Sequence, residues 1–117
     1  MGALAAALLL AAASPAAEKV ARLYEIDQME MGGGIELHHD GRFRYALDYG
    51  AVSEEAEGIW TMESGTVLLT TNPMPPKEEC DRGYASACFN RTPLQAEDGE
   101  LILWRWDAKI RFQPRPR

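Results

Sequence analysis

The residues from 34 to 50, GIELHHDGRFRYALDYG, constrain the fold more strongly than any other part of the chain. Apolar and polar side chains alternate with a period of two on both sides of Asp40-Gly41, as in strands that bury one face. An Asp-Gly pair between two alternating runs is a strong signal for a tight turn between antiparallel strands. The segment therefore predicts a β-hairpin.

The length of the hairpin loop follows from the side-chain pattern. A two-residue loop would place Leu37 opposite Arg44 and mix charged with apolar residues on both faces. A three-residue loop, residues 39–41, places Leu37 opposite Phe43 and collects the apolar side chains on one face. The remaining pairs are then Ile35 with Tyr45 on that face and Glu36 with Arg44 on the other. This loop is a type I turn followed by a bulge, with Gly41 in the left-handed conformation.

Two further turns are indicated, at Ser64-Gly65 and at Asp98-Gly99. Around the first, a two-residue loop aligns Trp60 with Leu69 and Met62 with Val67, although a three-residue loop also fits the pattern. After the second turn, Ile102, Trp104 and Trp106 share one face, while Leu101 and Leu103 lie on the other. A strand that is apolar on both faces is central in a sheet or covered.

These turns predict an all-β domain, an antiparallel meander of about six to eight strands. Residues 109–113, KIRFQ, return as a last strand, and residues 20–29 fit either a strand or a short helix. Gly32, Gly33 and Gly34 are interpreted as a flexible lead-in to a strand. The pattern does not decide whether the meander forms a small partial barrel or a sandwich.

The chain opens with an apolar run from Ala3 to Ala13, followed by the small residues Ser14, Pro15, Ala16 and Ala17. This run is too short to span a bilayer as a helix but has the length of a signal-peptide core. No Lys or Arg precedes it, and an Ala-rich helix packed on the domain is the alternative. We expect a helical signal peptide at residues 1–17, a single β domain at 18–113 and a basic tail at 114–117, and hence a periplasmic or secreted protein.

Export changes the interpretation of Cys80 and Cys88, because an oxidising compartment allows such a pair to close into a disulfide. A ring of about nine residues would stabilise the fold by roughly 2.5 kcal/mol. The pair lies in NPMPPKEECDRGYASACFNRT, residues 72–92, where the prolines exclude a central strand. A long loop of this kind is typically functional or floppy, and the bridge argues against a floppy loop.

The residues named so far resemble a known signature. Leu37, Asp40-Gly41, Phe43 and Tyr45, then Gly58-x-Trp60, Val67 and Leu69, are similar to the strand pattern of small exported bacterial lipocalin-like domains. The resemblance covers residues 34–71, about a third of the chain. It implies a meandering antiparallel barrel or half-barrel. In lipocalins proper the G-x-W lies at the first strand, whereas Trp60 is in mid-chain. The signature marks turns and core, so it assigns no ligand contacts.

Composition restricts the partners. The chain carries 12 basic and 18 acidic residues, a net charge of −6, which disfavours nucleic-acid binding. No second apolar stretch reaches membrane length, so we expect no stable membrane insertion after the signal is removed. No cofactor motif is present, and we expect none. The tail residues 114–117, PRPR, either touch an acidic partner or are solvated and disordered.

Two candidate chemistries remain open. Met29, Met31, His38 and His39 suggest a periplasmic copper-binding protein, since thioethers and imidazoles suit copper; packed methionines and exposed histidines are the simpler interpretation. A hydrolase is a weaker alternative, because the serines lack a nucleophile motif and Glu54-Glu55 is interpreted as part of a solvated acidic loop.

The hypothesis favoured by the sequence is a non-catalytic exported domain that binds a protein or a small apolar ligand. The predicted surface is the 72–92 loop with Tyr84 and the strand that carries Trp104 and Trp106. Core packing of Trp60, Trp104 and Trp106 is the simpler alternative for the tryptophans. An enzymatic role stays open.

Overall fold

A computed structural model describes residues 15–82 and 85–116 of the chain. Two short helices are present, α1 (Pro15–Val20) and α2 (Lys77–Arg82). The strands are β1 (Leu23–Ile26), β2 (Met31–Leu37), β3 (Arg42–Tyr49), β4 (Val52–Glu63), β5 (Thr66–Thr71), β6 (Ala85–Ser86), β7 (Thr92–Glu97), β8 (Glu100–Arg105) and β9 (Ala108–Pro114). Most of the predicted signal peptide, residues 1–14, lies outside the described residues.

Eight of the strands form a closed antiparallel barrel. Each of β1–β5 and β7–β9 pairs with the next in chain order, and β9 closes the barrel by pairing with β1. The two-residue β6 lies outside this cycle and runs parallel to the start of β4. The predicted all-β meander is confirmed, and the sheet closes on itself instead of remaining a partial barrel or splitting into a sandwich.

The register of the first hairpin is the predicted one. Leu37 pairs with Phe43, Ile35 with Tyr45 and Glu36 with Arg44. Gly41 has a φ of +88°, the left-handed conformation expected of it. The Asp40 carboxylate also accepts a hydrogen bond of 3.0 Å from the Arg42 amide. Pattern and turn chemistry therefore agree at this hairpin.

The turns at Ser64-Gly65 and Asp98-Gly99 each join two strands through a two-residue loop, as the pairs Glu63–Thr66 and Glu97–Glu100 show. Both residues of each turn have a positive φ, between 51° and 81°. A two-residue turn with this backbone conformation has a twist that matches the twist of the two strands it joins. In the first of these hairpins Trp60 is aligned with Leu69 and Met62 with Val67, so the shorter loop is confirmed.

The inward faces of the strands fill the barrel with apolar side chains. Trp60 is buried and donates its indole N–H to the His38 carbonyl at 2.8 Å. Phe43, Phe89 and Phe112 are each at most 1% exposed. The other buried core residues include Ile35, Leu37, Leu47, Val67, Leu69, Leu94, Leu101, Leu103 and Ile110. The barrel is a packed core, as expected for eight strands.

The glycine run is part of β2, so its interpretation as a flexible lead-in is wrong. A Cβ on Gly34 would lie 2.3 Å from the Tyr24 carbonyl oxygen, and one on Gly33 would lie 2.1 Å from that of Ala46. Glycine is therefore required at both positions because neighbouring backbones approach so closely. Gly32 has nothing within 4 Å of the same position.

The start and end of the barrel are tied together. Residues 20–29 contain the end of α1 and all of β1, and Ala17 and Val20 of α1 pack against the core. At the other end Pro114 belongs to β9, and the Arg115 amide donates to the Leu23 carbonyl at 2.9 Å. Pro114 and Arg115, which the sequence assigned to the basic tail, are therefore held to β1 by backbone pairing.

Residues 72–91, here called the bridged segment, connect β5 to β7. Cys80 and Cys88 form the predicted disulfide within it. The Ala87 amide donates to the Glu55 carbonyl at 2.8 Å, which extends the short β6 pairing along β4. Two hydrogen bonds anchor Phe89: its amide donates to Thr71 Oγ1 at 2.8 Å, and its carbonyl accepts from the Thr71 amide at 2.9 Å.

None of the described helices has the length and apolar character needed to cross a membrane.

Candidate functional site

Three turns meet at one end of the barrel because their strands alternate in direction. They are residues 27–30 between β1 and β2, 50–51 between β3 and β4, and 106–107 between β8 and β9. We call this the tryptophan end, since it carries Trp106 in a turn and Trp104 at the neighbouring strand terminus. The His38–Gly41 turn lies at the opposite end.

Trp104 and Trp106 are 57% and 48% exposed, so core packing is wrong for both, while Trp60 is 5% exposed and fits it. Trp104 follows the buried Ile102 on the outer face of β8, so the expectation that this strand is covered holds only for its first half. Trp106 occupies the first turn position with a φ of +54°, which is unusual for a bulky side chain.

Met29 adds a third apolar side chain and is 90% exposed. Its neighbour Gln28 fixes the β1–β2 turn onto β9. The Gln28 amide nitrogen donates to the Lys109 carbonyl at 3.2 Å, and its amide oxygen accepts from the Arg111 amide at 2.5 Å. Lys109 is the cross-strand partner of Trp104. The Met29 turn therefore lies one strand away from Trp104.

The apolar side chains lie among acidic ones. The exposed carboxylates of the three turns and their flanking residues are Asp27, Glu30, Asp48 and Asp107. The Lys109 ammonium, nearest to Trp104 along the ladder, lies 3.7 Å from Glu97. Acidic side chains therefore outnumber basic ones around the three turns.

Beneath this surface lies a buried polar network of Tyr45, Glu54 and Arg105. Arg105 donates from Nε to Glu54 Oε2 at 2.9 Å and from Nη2 to Oε1 at 2.6 Å. The Tyr45 hydroxyl donates to Oε2 at 2.6 Å. Glu54 is 1% exposed, so its charge is balanced by Arg105 and its oxygens by three hydrogen bonds.

The strand alternation builds this network. Glu54, Ala56, Gly58 and Trp60 share the inward face of β4, and Leu101, Leu103 and Arg105 share that of β8. The β7–β8 ladder ends at the pair Gln95–Ile102, and beyond it the end of β8 contacts Phe89 of the bridged segment through Arg105. There the Arg105 guanidinium lies 5.7 Å from the centre of the Phe89 ring.

The network changes the pKa values of Tyr45 and Arg105. Burial raises the pKa of Tyr45 far above its ordinary value, and the hydrogen bond to Glu54 raises it further. Burial by itself lowers the pKa of Arg105, but the hydrogen bonds and ion pair with Glu54 outweigh it and leave that pKa raised. The network therefore holds a neutral tyrosine and a charged arginine across the neutral range.

Arg105 also contacts the exposed surface. Its guanidinium lies 4.9 Å from the centre of the Trp106 ring, within cation–π range. Phe89 contacts the same guanidinium from inside and packs edge-on against Tyr45, with centroids 5.0 Å apart. The exposed Trp106 is thus connected through Arg105 to both Glu54 and the bridged segment.

Sequence reasoning missed Glu54, and its interpretation as part of a solvated loop is wrong. Alternation counted backwards from Trp60 would have placed Glu54 inside the barrel. The same count forwards from Leu103 reaches Arg105. The signal was present in the pattern but was obscured by the neighbouring Glu55 and Glu57, which are exposed.

The residues of the predicted copper site are not brought together. Met29 and Met31 lie at the first end of β2, and His38 and His39 follow its last residue, Leu37. A strand of this length spans roughly 20 Å, so the four side chains cannot bind one ion. Both histidines are exposed, as predicted, and His38 lies 3.7 Å from Glu36. Among the described residues, no group of three His, Cys, Asp or Glu side chains is placed to hold a metal.

The hydrolase alternative gains no support from the described serines. The Ser53 hydroxyl donates to Asp48 at 2.7 Å and the Ser86 hydroxyl to Glu79 at 3.0 Å, and both serines lie away from the histidines. Ser64 lies in the β4–β5 turn at the histidines' end, where the side-chain contact of His38 is with Glu36. Tyr84, predicted on the partner surface, lies outside the described residues.

The bridged segment borders a groove of about 770 Å³ on the outer face of β2–β4, with Pro73, Pro75 and Ala85 among its lining.

Comparison of the chain with known protein families, with curated proteins and with solved structures finds no match.

Proposed function

We propose that this protein is an exported, non-catalytic binding barrel whose tryptophan end holds a positively charged, partly apolar segment of a protein partner. The observation that carries this proposal is the exposure of Trp104 and Trp106, two large side chains that the core does not use. Tryptophan is among the residues that contribute most to protein–protein affinity. The Cys80–Cys88 disulfide is compatible with an oxidising location.

The turn position of Trp106 supports a role outside folding. A φ of +54° suits glycine or asparagine, and a bulky residue there is strained. A turn selected only for stability would use one of those two residues. We therefore attribute the presence of Trp106 to what its exposed ring binds.

The surrounding charge indicates the chemistry of the partner. Asp27, Glu30, Asp48 and Asp107 attract a cationic segment, and an exposed indole attracts lysine and arginine through its π face. Met29, 90% exposed, provides an adaptable contact for apolar side chains. A small apolar ligand inside the barrel is not favoured, because aromatic and aliphatic side chains fill the interior.

The test uses short synthetic peptides as probes. A peptide of alternating lysine and leucine should bind and give a heat response in isothermal titration calorimetry, whereas peptides of alternating glutamate and leucine or lysine and serine should not. Trp104→Ala and Trp106→Asn should abolish the response. Ile59→Ala is the matched control, since Ile59 is an exposed apolar residue on β4, remote from this end. Equal binding to the wild type and to both tryptophan variants would refute the proposal.

A further inference from the structure

The exposed Trp106 ring and the buried Glu54 are linked by one side chain. Arg105 precedes Trp106 in the chain, yet it points inward while Trp106 lies in the turn at the surface. Its guanidinium donates from Nε and Nη2 to Glu54, and its central carbon lies over the Trp106 ring, 4.9 Å from the ring centre. One charged group thus contacts both a buried carboxylate and an exposed ring.

The guanidinium itself has little freedom. A two-point contact with a carboxylate fixes both its position and its plane. The carboxylate is fixed in turn, because Glu54 lies within β4 and accepts the Tyr45 hydroxyl at 2.6 Å. On the inner side the Phe89 ring lies 5.7 Å from the guanidinium, and hydrogen bonds to Thr71 hold the Phe89 backbone. Contacts with Glu54 and Phe89 therefore hold the Arg105 guanidinium in place beside Trp106.

Rigidity at this position matters for binding. An exposed tryptophan that rotates freely loses that freedom when a partner covers it, and the loss weakens binding. A ring already held against a fixed cation loses less. Well-packed apolar residues can often replace a buried ion pair of this kind without loss of stability, so we consider a role for the network beyond folding.

We propose that Arg105, held by Glu54 and Tyr45, is a positioning residue that orders the Trp106 ring before a partner binds. Its consequence for affinity rests on the proposed function, but the ordering of the ring is measured without any partner. The guanidinium plane is the essential feature: a lysine keeps the charge but loses both the two-point contact and the flat face.

The test measures rotation of the Trp106 side chain by time-resolved fluorescence anisotropy in a Trp104→Phe background, where the only other tryptophan is the buried Trp60. Arg105→Lys and Glu54→Gln should both increase the fast rotational component. Val67→Ala, a core change on β5 away from the network, controls for loss of stability and should leave that component unchanged. All variants are compared at a temperature at which each is folded.

Affinity for the lysine–leucine peptide is measured on the same variants with Trp104 restored. Arg105→Lys should weaken binding by about threefold to tenfold, and Val67→Ala should not. Unchanged Trp106 rotation in Arg105→Lys, or an equal increase in Val67→Ala, would overturn the positioning role. Increased rotation with unchanged affinity would refute its effect on binding. If both tryptophan variants still responded to the peptide as the wild type does, the proposed function would be refuted. The ordering of Trp106 by Arg105 would be unaffected by that result.

Discussion

Glu54 on β4 and Arg105 on β8, which lie 51 residues apart in the chain, are joined by two hydrogen bonds of 2.9 and 2.6 Å in the barrel interior. The pair connects the first and second halves of the barrel wall at the tryptophan end. Removing one partner of such a buried pair leaves the other charge without compensation. The stability of the barrel should therefore depend strongly on this contact.

Glu54→Gln should lower the free energy of unfolding by about 3 kcal/mol or more, because Arg105 is then left charged beside a neutral amide. Glu55→Gln is the matched control, since the adjacent Glu55 is exposed, and should change it by less than about 0.5 kcal/mol. Urea denaturation followed by circular dichroism measures both. Similar midpoints for the two variants would show that the pair does not stabilise the barrel.

Tyr45 should make the fold sensitive to high pH. Below about pH 10 the tyrosine is protonated in folded and unfolded chains, so its full contribution is present. Above that pH the unfolded chain loses the proton while the raised pKa keeps it on folded Tyr45. Stability should then fall by about 1.4 kcal/mol per pH unit for this group.

The measurement is the free energy of unfolding between about pH 9 and pH 11.5 for the wild type and Tyr45→Phe. Other groups titrate equally in both proteins, so the difference between the two slopes isolates Tyr45. The variant should show the shallower decline. Parallel curves would mean that Tyr45 ionises in the folded barrel as readily as in the unfolded chain.

Gly34→Ala should destabilise the barrel by about 2 kcal/mol or more, since the new methyl group would lie 2.3 Å from the Tyr24 carbonyl oxygen and force β1 and β2 apart. Gly32→Ala provides the control in the same strand, because nothing lies within 4 Å of its Cβ position. Thermal unfolding of the two variants tests this. A Gly34→Ala protein that melts with the Gly32→Ala protein would contradict the close approach.

The Cys80–Cys88 bridge should stabilise the fold by about 2–3 kcal/mol, since it restricts a short loop in the unfolded chain. Replacing both cysteines by serine removes the bridge without leaving a free thiol. A reductant should lower the unfolding midpoint of the wild type to that of the double variant and leave the double variant unchanged. A double variant as stable as the oxidised wild type would show that the hydrogen bonds to Glu55 and Thr71 hold the segment unaided.

The local features of the barrel were predictable because each depends on residues close together in the chain. Asp40-Gly41 and the alternation around it admitted one register, and that register is present. The Ser64-Gly65 hairpin and the Cys80–Cys88 bridge followed from similar short-range arguments. Closure into a barrel did not, because an alternating strand has the same pattern in a sandwich, and the deciding β1–β9 pairing joins opposite ends of the described chain.

The site was harder to predict than the fold for the same reason. Trp104 belongs to an apolar strand, and only the position of neighbouring elements shows that its outer face is uncovered. Glu54 lies beside exposed glutamates and is identified as buried only when Arg105 is placed next to it. The copper hypothesis grouped Met31 and His38 by their proximity in sequence, although an extended strand separates its two ends by most of the barrel height.

The order of the barrel strands has a consequence for how the fold assembles during synthesis. Within the described residues, every ladder of the barrel except the one between β1 and β9 joins strands that are consecutive around it in chain order. Such pairings have low contact order and form quickly. A nascent chain on the ribosome can therefore build a curved open sheet hairpin by hairpin. The edge of β1 stays unpaired until β9, residues 108–114, has left the ribosome. An unpaired edge can pair with another chain, so this protein is most prone to aggregate during that interval.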